Sequence, residues 1–186
     1  GHPVDAINLV QQVVTGLDWP QPYLDSLIGD TLFWQDRLAE AKAHFLTAAE
    51  GFDQLGYTLE ANQARVAAAE VLLQAGDLDE AEGLFTTALA HAGRSINPMH
   101  QGLAQAGLGK VYEALGRFGE AQDSFRQALK ILNGLGWWRL EAEIALHTLQ
   151  VSHRQTPHWQ RDFDRVRGYV QRLPSTDLQA QLDELR

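Results

Sequence analysis

Gly107-Leu108-Gly109-Lys110 is the stretch of this chain nearest to catalytic chemistry, because glycines followed by a lysine are the material of a phosphate-cradling loop. The complete loop, however, needs glycine where Ala104 stands and a hydroxyl residue where Val111 stands. The segment also has helical apolar spacing, which would tie up the backbone amides that such a loop must leave free. Seven histidines offer metal or general-base chemistry. His147 and His153 lie six apart, His153 and His158 flank a proline turn, and none has the i, i+4 or His-Glu-x-x-His spacing that puts two ligands on one helical face. Gly-x-Ser-x-Gly is absent, and no serine has a base at a motif distance. The carboxylates are expected at solvent-facing helix positions, solvated or salt-paired. The chain is therefore expected not to be an enzyme, with no catalytic residue, no cofactor and no metal.

Arg154, Arg161, Arg165, Arg167 and Arg172 gather positive charge near the C-terminus, and Arg161, Arg165 and Arg172 could share one helix face. Asp162 and Asp164 interrupt the run, the formal net charge is -9, and no nucleic-acid reading motif is present. An ordinary solvated face is the expectation, and nucleic acid is not expected as a partner.

The elements that would position any site repeat every forty residues. Arg37-Leu38-Ala39-Glu40-Ala41 returns as Asp77-Leu78-Asp79-Glu80-Ala81 and again as Arg117-Phe118-Gly119-Glu120-Ala121. Phe45, Phe85 and Phe125 follow in step, then Ala48, Ala88 and Ala128. Upstream, Gly29, Ala69 and Gly109 keep a small position, and Leu32, Leu72 and Tyr112 a large one. Such periodicity marks a helical repeat array. Each unit reads as two antiparallel helices with a corner between them: Gly76 and Gly116 suit a left-handed cap, Asp77 can start the following helix, and the first unit has Gln35-Asp36 instead of glycine. Gly109 and Ala121 are expected at the closest approach of paired backbones, with the phenylalanines filling the wider gap.

The third unit, with Leu108-Gly109, Tyr112, Gly116, Phe118, Ala121, Phe125 and Ala128-Leu129, resembles the tetratricopeptide repeat most closely. The second keeps Ala69, Leu72, Gly76, Leu78, Ala81, Phe85 and Ala88-Leu89, and the resemblance covers roughly residues 22 to 153. The usual period is about 34 residues. A forty-residue period with Leu55-Gly56 and Leu135-Gly136 endings resembles the long-helix variety found in bacterial signalling regulators and some eukaryotic adaptors. The resemblance implies an all-α, right-handed α-α superhelix of antiparallel hairpins, here one domain over 1–186. Its parts are an N-terminal helix 3–17, repeats at 22–56, 57–96 and 97–136, a degenerate capping hairpin at 137–173 and a C-terminal helix 175–186.

The family presents the first helix of each hairpin on a groove. By register that nominates Tyr23, Ser26, Asp30 and Phe33, then Gln63, Val66, Glu70 and Leu73. The third unit adds Leu103, Ala106, Lys110 and Glu113, and the cap adds Glu143, Leu146, Gln150 and His153. The lysine-asparagine clamp by which chaperone-binding relatives hold a terminal carboxylate is missing, since Ser26 and Asp30, Val66 and Glu70, Ala106 and Lys110 occupy its places. Acids outweigh Lys110 in this set, so the implied partner is a protein or peptide with basic and apolar residues. Reversing Glu70 and Glu113 to lysine is expected to abolish its binding.

Absent cysteine, the lack of a membrane-length apolar run and the lack of a signal-peptide pattern make the cytoplasm the expected location. The start Gly1-His2-Pro3, with Met99 as the only methionine, reads as a tag scar, so the chain is expected to be the sensor or interaction region of a larger bacterial regulator. A free-standing adaptor, a homo-oligomerisation module acting through the terminal helices, and a small-ligand sensor are the alternatives. Trp137-Trp138 opens the capping hairpin, Tyr57 holds the matching place two units earlier, and one tryptophan is expected to pack inward while the other stays exposed.

Overall fold

The computed structural model describes residues 19–92, 98–152, 159–173 and 176–185, and these are helices joined by short turns. The proposed N-terminal helix 3–17, His153, Arg154 and His158 lie outside the described residues. In order the helices are α1 (Gln21–Trp34), α2 (Leu38–Gln54), α3 (Thr58–Ala75), α4 (Leu78–Ala92), α5 (Pro98–Ala114), α6 (Phe118–Leu132), α7 (Trp138–Val151), α8 (Trp159–Val170) and α9 (Thr176–Glu184). Two compact units divide the chain, residues 1–100 and 101–186.

Four helix ends close in the same way. A residue two or three past each helix returns its amide to a carbonyl five positions back: Arg37 to Leu32, Tyr57 to Phe52, Asp77 to Leu72 and Arg117 to Tyr112, at 2.8 to 3.0 Å. Asp36, Gly56, Gly76 and Gly116 add the inner bonds, to Phe33, Asp53, Leu73 and Glu113. This double closure needs a left-handed residue at the bend. Gly76 and Gly116 supply it at φ 87° and 72°, and Asp36 does so at φ 59° as the one non-glycine residue with positive φ among those described. Aspartate tolerates that region better than most side chains, which explains how the first corner turns without glycine. The Arg-x-x-Glu part of the signature then braces the next helix, with Arg37 Nε donating to Glu40 and Arg117 Nε to Glu120, both at 2.7 Å. In the middle copy, where Asp77 replaces arginine, Glu80 instead accepts from Lys42 at 3.0 Å.

The repeating residues build the interior. Ala41, Ala81, Ala121, Ala48, Ala88 and Ala128 are wholly buried, and Phe45, Phe85 and Phe125 nearly or wholly so. A Cβ added to Gly109 would stand 2.5 Å from the Phe125 ring, and one added to Gly29 2.8 Å from Phe45. The small position therefore meets the phenylalanine itself, rather than marking a backbone approach apart from it. Gly83 in α4 faces nothing within 4 Å. Gly83→Ala is expected to raise the unfolding free energy by about 1 kcal/mol through helix propensity alone, measurable by urea titration.

At the C-terminal end, α7, α8 and α9 share a core in which Leu146, Leu149, Phe163 and Val170 meet Leu178 and Leu182. The leucine stripe of α9 is thus already covered within the unit, not held open for a second copy. Trp137 and Trp138 are both about half exposed, at 49% and 52%, and Tyr57 at 42%. The expected inward tryptophan is not found: both precede or begin α7 at its solvent end, ahead of the first buried turn. The carboxylates also depart from expectation at two points. Asp25 is buried but accepts from His44 Nδ1 at 2.9 Å, while Glu141 is buried with Oε1 lacking a partner among the described residues.

Candidate functional site

Within the first unit α1 and α3 bound a cleft of about 240 Å³, floored by the rings of Phe45 and Phe52 and walled by Trp19 and Tyr23. Pro20 and Pro22 fix the start of α1, a favoured place for proline, and so set where Tyr23 projects. Tyr23 packs edge-on against Phe52 at 4.7 Å and against Trp19 at 5.9 Å. Its hydroxyl reaches Glu60 at 3.5 Å. Burial, reinforced by the Glu60 carboxylate, pushes the Tyr23 phenol up, so it remains a donor. Asp30 stands at the mouth, one helical face with Tyr23 and Ser26. Partial burial pushes its carboxyl above the ordinary 3.8.

Asp30 and Glu60 are the only charged side chains lining this cleft among the described residues. Two carboxylates beside electron-rich ring faces favour a cation, through charge and through cation–π attraction. A guanidinium or ammonium on an apolar stem is the chemistry the cleft fits.

The structure divides the nominated groove residues by register. Tyr23, Ser26, Asp30 and Gln63 meet at the cleft. Phe33 is half-buried and packs on the core of the first unit, and Glu70 is exposed on α3. Val66, Ala106 and Leu146 are buried at 5%, 4% and 1% exposure, so these three belong to the core and cannot meet a partner. They occupy equivalent positions forty residues apart, and at that angle the helix turns inward. In the second unit Glu113 accepts from His147 Nδ1 at 2.9 Å and Glu143 from Arg139 Nε at 2.9 Å. Lys110 and Leu103 are half-buried, and Gln150 is exposed. Glu60 was missed by sequence reasoning, although it lies one turn before Gln63 on the same face of α3 and could have been found by extending the stripe.

His100, at 3% exposure, has Nδ1 unpartnered among the described residues. Burial lowers its imidazole below the ordinary 6.5, against an opposing pull from Glu60. Because the folded state resists this proton, its stabilising contribution is present above pH 6.5 and lost as pH falls through the lower folded value. The urea midpoint of the wild type is expected to drop below pH 6.5 more than that of His100→Leu.

Residues 60–134 match the family model of the tetratricopeptide repeat. That segment is similar to a tetratricopeptide-repeat array. The fold extends beyond it. Over 97% of this chain the apo crystal structure of RapI superposes with a TM-score of 0.84 at 13% identity, and this chain spans 52% of RapI, about half its length. BtubC (BKLC) from P. vanneervenii superposes over 98% of this chain and 80% of its own, with a TM-score of 0.77 at 13% identity. No curated protein matches the sequence significantly. The tetratricopeptide-repeat fold is one of interaction scaffolds in general. No described helix is long and apolar enough to cross a membrane, and no group of three or more metal-ligating side chains occurs among the described residues.

Proposed function

We propose that this chain is a cytoplasmic protein-interaction module that captures a segment of a partner by a basic residue flanked by apolar ones, and that it serves as the interaction region of a regulatory protein. The observation that carries the reading is the pairing of Asp30 and Glu60 around an aromatic-walled cleft that, among the described residues, no lysine, arginine or histidine lines. Charge would steer the partner in, and burial of its apolar neighbours against Trp19 and Leu27 would hold it. The charges that matter are then Asp30 and Glu60 rather than Glu70 and Glu113, the second of which is engaged with His147.

The test is fluorescence anisotropy of a labelled peptide carrying arginine and leucine in a glycine-serine background. Binding by the wild type that is lost on charge reversal at Asp30 and Glu60 supports the reading. Equal affinity in the neutral variant Asp30→Asn, Glu60→Gln would sink it.

A further inference from the structure

We propose that the second unit holds a separate site for a short peptide segment that is both acidic and apolar, in the cleft bounded by α6, α7 and α8. This cleft has a volume of about 260 Å³. Its rim carries Arg126 from α6 and Arg161 and Arg165 from α8, while Leu129, Leu149 and Val166 form the floor. Two of the arginine run that the sequence left as a solvated face are therefore joined by a third from another helix, and they frame a concavity.

The local carboxylates do not balance this rim. Among the described residues Asp162 is the one acidic residue lining the cleft, and it stands 3.6 Å from Arg161. Asp123 takes Arg126 at 3.0 Å and Asp164 takes Arg167 at 2.8 Å. Arg165 has no ion-pair partner among the described residues. The hydroxyl donors are already committed, and Gln122 in part: Gln122 Nε2 donates one hydrogen to Ser152 Oγ at 2.7 Å, Ser152 Oγ to the Thr148 carbonyl at 2.6 Å, and Thr148 Oγ1 to the Ile144 carbonyl at 2.8 Å. An anion entering here would be held by the guanidiniums, whose planar forks suit carboxylate geometry.

The floor decides among anions. A free phosphate would leave Leu129, Leu149 and Val166 unused, and a nucleic acid would need a wider basic track than a chain of net charge -9 provides. A carboxylate next to an apolar side chain uses both rim and floor. On α7 the cleft residues Ala145 and Thr148 lie on the face opposite Glu143 and Gln150, since each residue advances by about 100°. This site is therefore independent of the groove face and opposite in charge preference to the cleft of the first unit.

The probe is a fluorescein-labelled peptide carrying glutamate and leucine in a glycine-serine background. Wild-type protein is expected to bind it, with affinity falling about tenfold in Arg165→Glu and about a hundredfold in the Arg126→Glu, Arg161→Glu, Arg165→Glu triple variant. The triple glutamine variant should show an intermediate loss, and circular dichroism should be unchanged because all three side chains are exposed. Asp30→Lys should leave this binding intact, which separates its outcome from that of the first cleft. The proposal is overturned by no wild-type binding, by full affinity in the triple glutamine variant, by equal binding of a leucine-free glutamate peptide, or by equal competition from oligouridine.

Discussion

Phe125→Ala should lower the unfolding free energy by about 3 to 5 kcal/mol, read as a shift of the urea midpoint followed by circular dichroism. The ring is wholly buried, in a cluster with Ala121, Ala128, Leu132 and Ile144, and its removal leaves a cavity those neighbours can close only in part. Gly109 makes the expectation more specific. In the wild type Gly109→Ala should cost about 1 to 3 kcal/mol by forcing its Cβ into the ring, more than offsetting the helix-propensity gain of about 1 kcal/mol. With Phe125 already alanine the same change should become neutral or stabilising, because the obstructing atoms are gone. A sign that does not change across this double-mutant cycle would mean that the glycine answers to something other than the ring.

Charge reversal of the first cleft, Asp30→Lys with Glu60→Lys, should weaken the arginine-leucine peptide by about 2 to 3 kcal/mol, or roughly thirty- to more than a hundredfold. The wild-type affinity should also depend on pH. A bound cation favours the ionised Asp30 carboxylate, so affinity rises with pH until it is ionised and is lost on acidification through its titration range. For Asp30 that range is displaced above the ordinary 3.8 by burial. The same displacement acts oppositely on the free protein: a folded pKa above the unfolded one gives a stabilising contribution in acid that disappears as pH rises. Asp30→Asn should therefore stabilise the free protein at neutral pH while weakening the peptide. Stability and binding moving together in that variant would contradict the assignment of Asp30 to ligand contact.

The forty-residue spacing made the interior legible because burial repeats with it. Ala41, Ala81 and Ala121 are interchangeable in environment, and so are the three phenylalanines. The same logic misled at the groove. The register groups Ser26, Val66, Ala106 and Leu146 together, yet only Ser26 opens to the cleft, since Val66, Ala106 and Leu146 lie at the inward edge of their stripes. Stripe width on a helix is set by what packs beside it, and spacing alone does not contain that. The Arg126 rim was illegible for a related reason: it completes a site with residues from a different helix and so forms no motif in the chain, whereas Glu60 needed only the stripe of Gln63 extended by one turn. The burial of Asp25 was hidden likewise, because its partner His44 sits on the neighbouring helix.

The corner hydrogen bonds have a further implication for how such a chain can grow. Each bend closes with bonds confined to six consecutive residues, Leu72 to Asp77 or Tyr112 to Arg117, and asks nothing of distant sequence. A duplicated forty-residue length would thus bring its own finished turn with it. Asp36 shows that the turn also survives the loss of its glycine. Lengthening by gene duplication followed by drift would leave the bends working while the exposed positions diverged to suit new partners.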